Sequence, residues 1–219
     1  MFKHNLTEFT DLRRETDPIR VYVTPEGKKY PSVTTVTGLY SREGIQKWRQ
    51  RVGNAQANAV SKMASARGTK VHNMFENYVL NEEVSFKDVT RQEKFMFMAV
   101  KPIIDLYLDE VWAVECKLYS DELESAGQVD LIGIWNGQPA IIDWKTSSKR
   151  KPKKFIKNYC MQLAAYAQMF EELTGKDMAI GNVVIAVQED HPQVFTIHKD
   201  NHLDDFRQYR AQFKEEKGV

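Results

Sequence analysis

The chain is short of cysteine, of net charge and of long apolar runs, and each shortage removes a class of protein. Cys116 and Cys160 are the two cysteines among 219 residues. Two thiols cannot build a four-cysteine cluster or zinc site, and their apolar contexts suit a reducing compartment. Basic and acidic side chains nearly cancel, leaving a formal charge of +1. Any nucleic-acid site must therefore be a local patch rather than a uniform field. No apolar run approaches the length of a membrane span. The opening residues, MFKHNLTEFTDLRRET, contain acids and lack an apolar core, so they do not read as a secretory signal. There is no GxxxxGKS/T, which argues against an intrinsic ATP motor, and no HExxH or paired CxxC zinc signature. The expectation is a soluble, cytoplasmic protein with no membrane partner.

What is present is a patterned α/β chain. At 42% apolar content, it can bury one substantial core, and residues 1–219 read as a single domain. IRVYVTPEGKKYPSVTTV reads as a β-hairpin around PEGK. From about Ser41 the pattern turns helical; Gly68 is expected to interrupt it, with Thr69 capping a second helix, TKVHNMFENYVL. A further helix fits RQEKFMFMAVKPIIDLYLDE. Three β-type runs follow, VWAVECKLYS, GQVDLIGIW and PAIIDWKT. After a basic loop, YCMQLAAYAQMFEELTG is a helix stopped by Gly175. GNVVIAVQ and QVFTIHKD are strands, and HLDDFRQYRAQFKEEK closes the chain as an amphipathic helix. The order places helices around a central sheet.

The stretch GQVDLIGIWNGQPAIIDWK, residues 127–145, carries three charges in strand context. Asn136-Gly137 is a strong two-residue hairpin signal. With that turn, Trp135 faces Gln138, Leu131 faces Ile142 and Asp130 faces Asp143. Period-two alternation puts Lys145 on the face of Asp143, with Gln128 opposite it. Opposed carboxylates about 5 Å apart at Cβ repel unless a cation joins them. Such an oxygen-rich cluster suits Mg²⁺ or Mn²⁺, and a nearby lysine can orient a water and offset developing negative charge. The plainer alternative is a pair of strand-end aspartates near solvent, with Lys145 as an ion-pair partner.

On these residues the sequence resembles the PD-(D/E)XK nuclease superfamily, with GQVD followed by IIDWK as its Asp-X-Lys core. ARGTKVHNMFENY resembles the histidine-bearing helix of the RecB-like branch, and QLAAY its Gln-x-x-x-Tyr motif. YPSVTTV, KWRQRVG and LYSDELESAGQVD resemble phage-type exonucleases and mitochondrial genome-maintenance exonucleases. The resemblance implies a restriction-endonuclease-like core, a central mixed β-sheet flanked by helices, with an N-terminal hairpin and helical extension over 1–66 and the catalytic core over 67–219. It implies a Mg²⁺- or Mn²⁺-dependent DNA exonuclease acting on single-stranded DNA or free DNA ends in phage-type replication or recombination. That would place it in the host cytoplasm if phage-encoded. The alternatives are a structure-specific endonuclease that cuts flaps or branches, and a nucleic-acid-binding subunit with a silent site. With two cysteines, the chain also lacks the iron–sulfur cluster of some RecB-like relatives.

In this resemblance Asp130 and Asp143 hold metal, His72 assists and Lys145 acts on the attacking water. Glu76, one helical turn after His72, shares its face and can reach the same place; it is equally readable as a surface carboxylate, and His72 as a partly buried helix histidine. Glu115 can aim a third carboxylate at the patch or face solvent, and the carbonyl of Trp144 is a further candidate ligand. Gln162 and Tyr166, spaced i, i+4, can bind a phosphate oxygen, order a catalytic residue, or form a polar helix edge. For DNA contact the candidates are Ser147, Ser148, Lys149, Arg150, Lys153, Lys154 and Lys157 after the aspartate strand, and Arg67, Trp48, Arg49 and Arg51 on the earlier helices. A solvated basic loop and a core Trp48 are the alternatives.

Overall fold

The computed structural model describes residues 1–16 and 18–219. The strands near the N-terminus are short. β1 (Lys3–His4) leads to β2 (Arg13–Glu15), β3 (Val21–Val23) and β4 (Lys29–Pro31), the last three forming a small antiparallel sheet. The hairpin expected around PEGK is the β3–β4 pair, joined in the register Val21 to Pro31. Its second half corrects the expectation. SVTTV is helical, because Ser32 is an N-cap whose hydroxyl accepts from the Thr35 amide at 3.1 Å. α1 (Val33–Val52) therefore starts well before Ser41 and buries Val33 and Val36.

A second correction concerns Gly68. The chain breaks at Gly53, at φ 83°, and α2 (Asn54–Val79) then runs unbroken through Gly68 and across the 66/67 boundary. A single glycine costs a helix only about 1 kcal/mol. The buried side chains of Val71, Met74, Phe75 and Val79 outweigh it. Thr69 is no cap; its hydroxyl donates to the Ser65 carbonyl. α3 (Arg91–Tyr107) has the capping box that Thr90 and Glu93 encode.

The remaining elements build the main sheet: β5 (Leu108–Ser120), β6 (Ser125–Trp135), β7 (Gln138–Ser147), α4 (Lys157–Thr174), β8 (Ile180–Val187), β9 (Gln193–His198) and α5 (Leu203–Lys217). The order is β1-β5-β6-β7-β8-β9. The β7–β8 pair is parallel with α4 as its crossover, while β5, β6 and β7 form an antiparallel meander. Alternate side chains of β7 and β8 feed two cores. Ile141, Val183 and Ile185 pack with α4, α1 and α5, whereas Ile142, Trp144 and Val184 pack with α2 and α3. The sheet is thus mixed and covered by helices on both faces, as expected for this fold class. No helix among the described residues is long and apolar enough to cross a membrane.

Candidate active site

The β6–β7 hairpin forms through Asn136 and Gly137, both at positive φ (51° and 76°), as a turn between twisted strands requires. Its register is the one the turn predicts, from Trp135 opposite Gln138 to Leu131 opposite Ile142. There the ladder stops. The next pair by count is Asp130 and Asp143, and the side chain of Asp130 takes the place of a backbone acceptor: its Oδ2 accepts from the Trp144 amide at 2.7 Å. Beyond this point β6 stays with β5 while β7 pairs with β8. Gln128 is accordingly not opposite Lys145; it sits against Lys117 in register and donates to Glu115 Oε2 at 2.7 Å. The strands splay where the aspartates lie.

Asp143 is 2% exposed. Its Oδ1 accepts from Lys145 Nζ at 2.6 Å and from Gln162 Nε2 at 2.8 Å. Oδ2 lies 2.5 Å from Lys145 Nζ, yet no hydrogen bond of acceptable angle satisfies it. The ammonium also faces the ring of Tyr159, 5.2 Å away. Glu115 arrives from β5: Val114 pairs with Leu131 and Cys116 with Val129, so Glu115 stands beside Asp130. Its φ is +49°, a conformation uncommon for a side-chain-bearing residue in a strand. His72 comes from α2, with Nδ1 3.7 Å from Asp130 Oδ2. One ligand atom each from His72, Glu115 and Asp130 lies within 4.8 Å of the others. Glu76 lines the same cleft, together with Arg14, Asn73 and Gln128.

Burial and mutual repulsion set the charges here. Desolvation, then Asp130 and Glu76, push the Glu115 carboxyl up to about 8. Desolvation raises Asp130 and Asp143 to about 6 each, against the pull of Lys145. Lys145 is itself raised: burial lowers it, but Asp143 and Asp130 outweigh that. Desolvation and the Lys145 charge bring His72 down to about 4, so its imidazole is neutral and free to ligate. Crowded carboxyls, a neutral imidazole and a buried carboxylate oxygen without a hydrogen bond fit a divalent cation bound mostly by oxygen.

The other expected residues divide by placement. The Trp144 side chain is buried against Phe75 and Trp135, while its main chain lies against Asp130 and His72. Tyr166 is 2% exposed and packs on Gly127, where an added Cβ would stand 2.8 Å from the phenol oxygen. Gln162 is buried too. Burial removes direct phosphate contact from this pair and leaves the ordering of Asp143. Ser147 is likewise turned inward, its hydroxyl donating to the Lys149 carbonyl at 2.6 Å. Ser148, Lys149, Arg150, Lys153 and Lys154 are exposed, though Arg150 lies 3.8 Å from Asp190. Lys157 is committed to Asp205 at 2.9 Å. Arg67 adjoins the cleft and donates to Gln188. Trp48, Arg49 and Arg51 lie at the far end of α1 and do not line the cleft. Half-buried Trp48 belongs to none of the core clusters.

Sequence reasoning missed Tyr159, Asn73 and Arg14, and set Gln128 opposite Lys145 rather than on Glu115. Tyr159 had a local signal, one helical turn before Gln162. Arg14 had none, because a separate small sheet brings it to the cleft.

A splayed pair of central strands presents Asp130 and Glu115 with a neutral His72 at one cleft, beside the buried Asp143–Lys145 pair, and together they make a candidate metal site. The chain belongs to the PD-(D/E)XK nuclease superfamily, whose family model matches residues 46–217. Nucleases of this superfamily act on nucleic acid and generally use divalent metals. No curated protein matches the sequence. Remotely similar solved structures include the following two. SSO0001 is 13% identical at a TM-score of 0.44, the match covering 80% of this chain and 71% of that one. A protein of Eubacterium rectale, provisionally named an exonuclease, is 18% identical at a TM-score of 0.42, over 70% of this chain and 64% of that one. This chain thus spans less than two thirds of the second structure's length.

Proposed function

We propose that the chain is a Mg²⁺- or Mn²⁺-dependent DNA exonuclease acting on single strands or free ends, in a phage-type replication or recombination setting. The observation that carries the metal-dependent chemistry is the meeting of Asp130, Glu115 and His72 beside the Asp143–Lys145 pair. The end-directed and phage-type parts rest on the ordered sequence blocks shared with phage-type exonucleases. The exposed Ser148, Lys149, Arg150, Lys153 and Lys154 follow β7 after the Asp143–Lys145 pair and offer phosphate partners.

Asp130, Asp143, Glu115 and His72 would hold the ion, which supplies Lewis acidity toward a phosphate oxygen and acidifies bound water. Lys145, its pKa raised by Asp143 and Asp130 against burial, is a protonated donor beside Asp143. It donates hydrogen bonds, orients the attacking water and opposes the charge that grows on the phosphate. Gln162 fixes the Asp143 carboxylate; Tyr166 braces Gln162 and the β6 backbone at Gly127. Both are positioning residues. The test is digestion of end-labelled single-stranded, duplex and circular DNA with each metal and with chelator. Metal-dependent release of nucleotides from linear substrates alone is expected. Cutting of circles would make it an endonuclease, and full activity of metal-free protein in chelator would end the reading.

Two further results are expected. Gln162→Ala should lower metal affinity or turnover by about 10–100-fold, as loss of a ligand-orienting hydrogen bond does. Tyr166→Phe should reduce turnover less, with KM for DNA unchanged in both. Wild-type rates and metal titrations in both variants would make the motif purely structural.

The second concerns protons. Glu115 holds its proton up to about 8, whereas a metal requires the carboxylate. Binding near pH 7 should therefore release about one proton, and binding near pH 9 almost none. His72 contributes nothing in this window, since it is already neutral above about 4. Calorimetry in buffers of different ionisation enthalpy reads the difference. Absence of release near neutrality would remove Glu115 from the ligand set.

A further inference from the structure

α3 carries two apolar faces. Met96, Phe97, Val100 and Ile104 are buried under the sheet. On the opposite side, at helical steps of three and four, run Phe95, Met98, Pro102 and Leu106. Phe95, Met98 and Leu106 are 44%, 48% and 71% exposed. A surface helix normally places polar residues there. The stripe continues off the helix, because Pro102, Leu106 and Tyr107 form one wall of a groove whose other wall includes Ile180 and Val194. β9 bounds that groove. It is the last strand of the sheet, bonded only to β8, and its sequence QVFTIH has none of the lysine, proline or acidic residues that guard natural edges.

We infer that this face is the contact between two copies of the chain, with their α3 helices packed antiparallel about a twofold axis level with Val100. The charges select a second copy. Arg91 and Lys94 stand at the start of α3 and form no ion pair among the described residues. Asp105, in the last turn and paired with Lys101, and Asp109, just beyond the helix in β5 and accepting from the Gly137 amide, leave the other end net acidic. Antiparallel packing sets each basic end against an acidic end, whereas parallel packing opposes like charges. The same arrangement brings Phe95 of one helix to Leu106 of the other and Met98 to Pro102, so the whole stripe is covered. A twofold contact needs this self-complementarity, in which each residue meets the partner of its partner. The two β9 edges flank the contact, and pairing there would extend it.

Sedimentation velocity on the full chain, from micromolar to hundreds of micromolar, tests this. A concentration-dependent dimer is expected. Leu106→Asp and, separately, Met98→Asp should each raise its dissociation constant by about tenfold or more. Both residues are exposed, so circular dichroism should remain unchanged; if one variant misfolds, the other carries the test. Ala99→Cys should be joined to its copy by a short bis-maleimide, while wild type, with Cys160 buried and Cys116 half-buried, should not. A monomer at every concentration would overturn the inference. So would a dimer indifferent to both substitutions, because its contact would lie elsewhere.

Discussion

Lys145→Ala should lower DNA cleavage by about 10²–10³ in turnover, with metal and DNA binding retained. The ammonium lies 2.5 Å from Asp143 Oδ2 and 2.6 Å from Oδ1, and the neighbouring carboxylates raise its pKa. It is therefore a cation at neutral pH, poised to act on charge that appears only as the phosphate is attacked. An interaction made in the transition state and not in the ground state falls on kcat and leaves KM in place. The rival account treats the pair as structure alone. It has a real basis, because Asp143 and Lys145 are in direct ionic contact. That account expects a modest loss of stability and near-normal cutting. Single-turnover cleavage by a folded Lys145→Ala protein, alongside Mn²⁺ calorimetry, separates the two. Cleavage at the wild-type rate would remove Lys145 from the chemistry.

Local rules carried the sequence reading as far as local rules act. Asn136-Gly137 and strand alternation were enough to bring Asp130, Asp143 and Lys145 together, since a two-residue turn dictates register for the residues that follow it. The same extrapolation failed at Gln128, because β6 and β7 part company after Leu131. The parting is a side-chain event, the capture of the Trp144 amide by Asp130, and alternation cannot anticipate it. Glu115 was visible as a candidate, but its place beside Asp130 depends on the compact Asp121–Glu124 turn. His72 was legible only through family resemblance, since no spacing links a residue on α2 to a strand pair far along the chain. The misread start of α1 has another origin. Val33, Thr34, Thr35 and Val36 have β-strand propensity, and the Ser32 cap with burial of two valines overrides it.

The two aspartates should behave alike in activity and oppositely in stability. Asp130→Asn and Asp143→Asn each remove a carboxylate from the proposed ligand set, so both are expected to lose metal-dependent cleavage and any rise in melting temperature that metal confers on the wild type. Without metal they differ. Burial raises the Asp130 carboxyl from 3.8 to about 6. The folded state therefore binds its proton more tightly than the unfolded chain does, and stability falls as pH rises across that interval. Above about 6 the charge costs on the order of 1–3 kcal/mol. Asparagine carries no charge, and its amide oxygen can still accept from the Trp144 amide. Metal-free Asp130→Asn should melt several degrees above metal-free wild type near pH 8, at roughly 2–4 °C per kcal/mol for a chain of this size. Asp143 is raised to about 6 as well, but Lys145 depends on it. Neutralising Asp143 leaves the ammonium, 20% exposed at its side chain, with Asp130 alone. Breaking a fully buried pair costs about 3–5 kcal/mol, and the partial exposure of Lys145 reduces that without changing its sign. Metal-free Asp143→Asn should therefore melt below wild type. Scanning calorimetry in chelator decides the matter. If both variants shifted in the same direction, the assignment of Asp130 to a charge only partly offset by Lys145 and of Asp143 to the lysine's direct partner would be wrong.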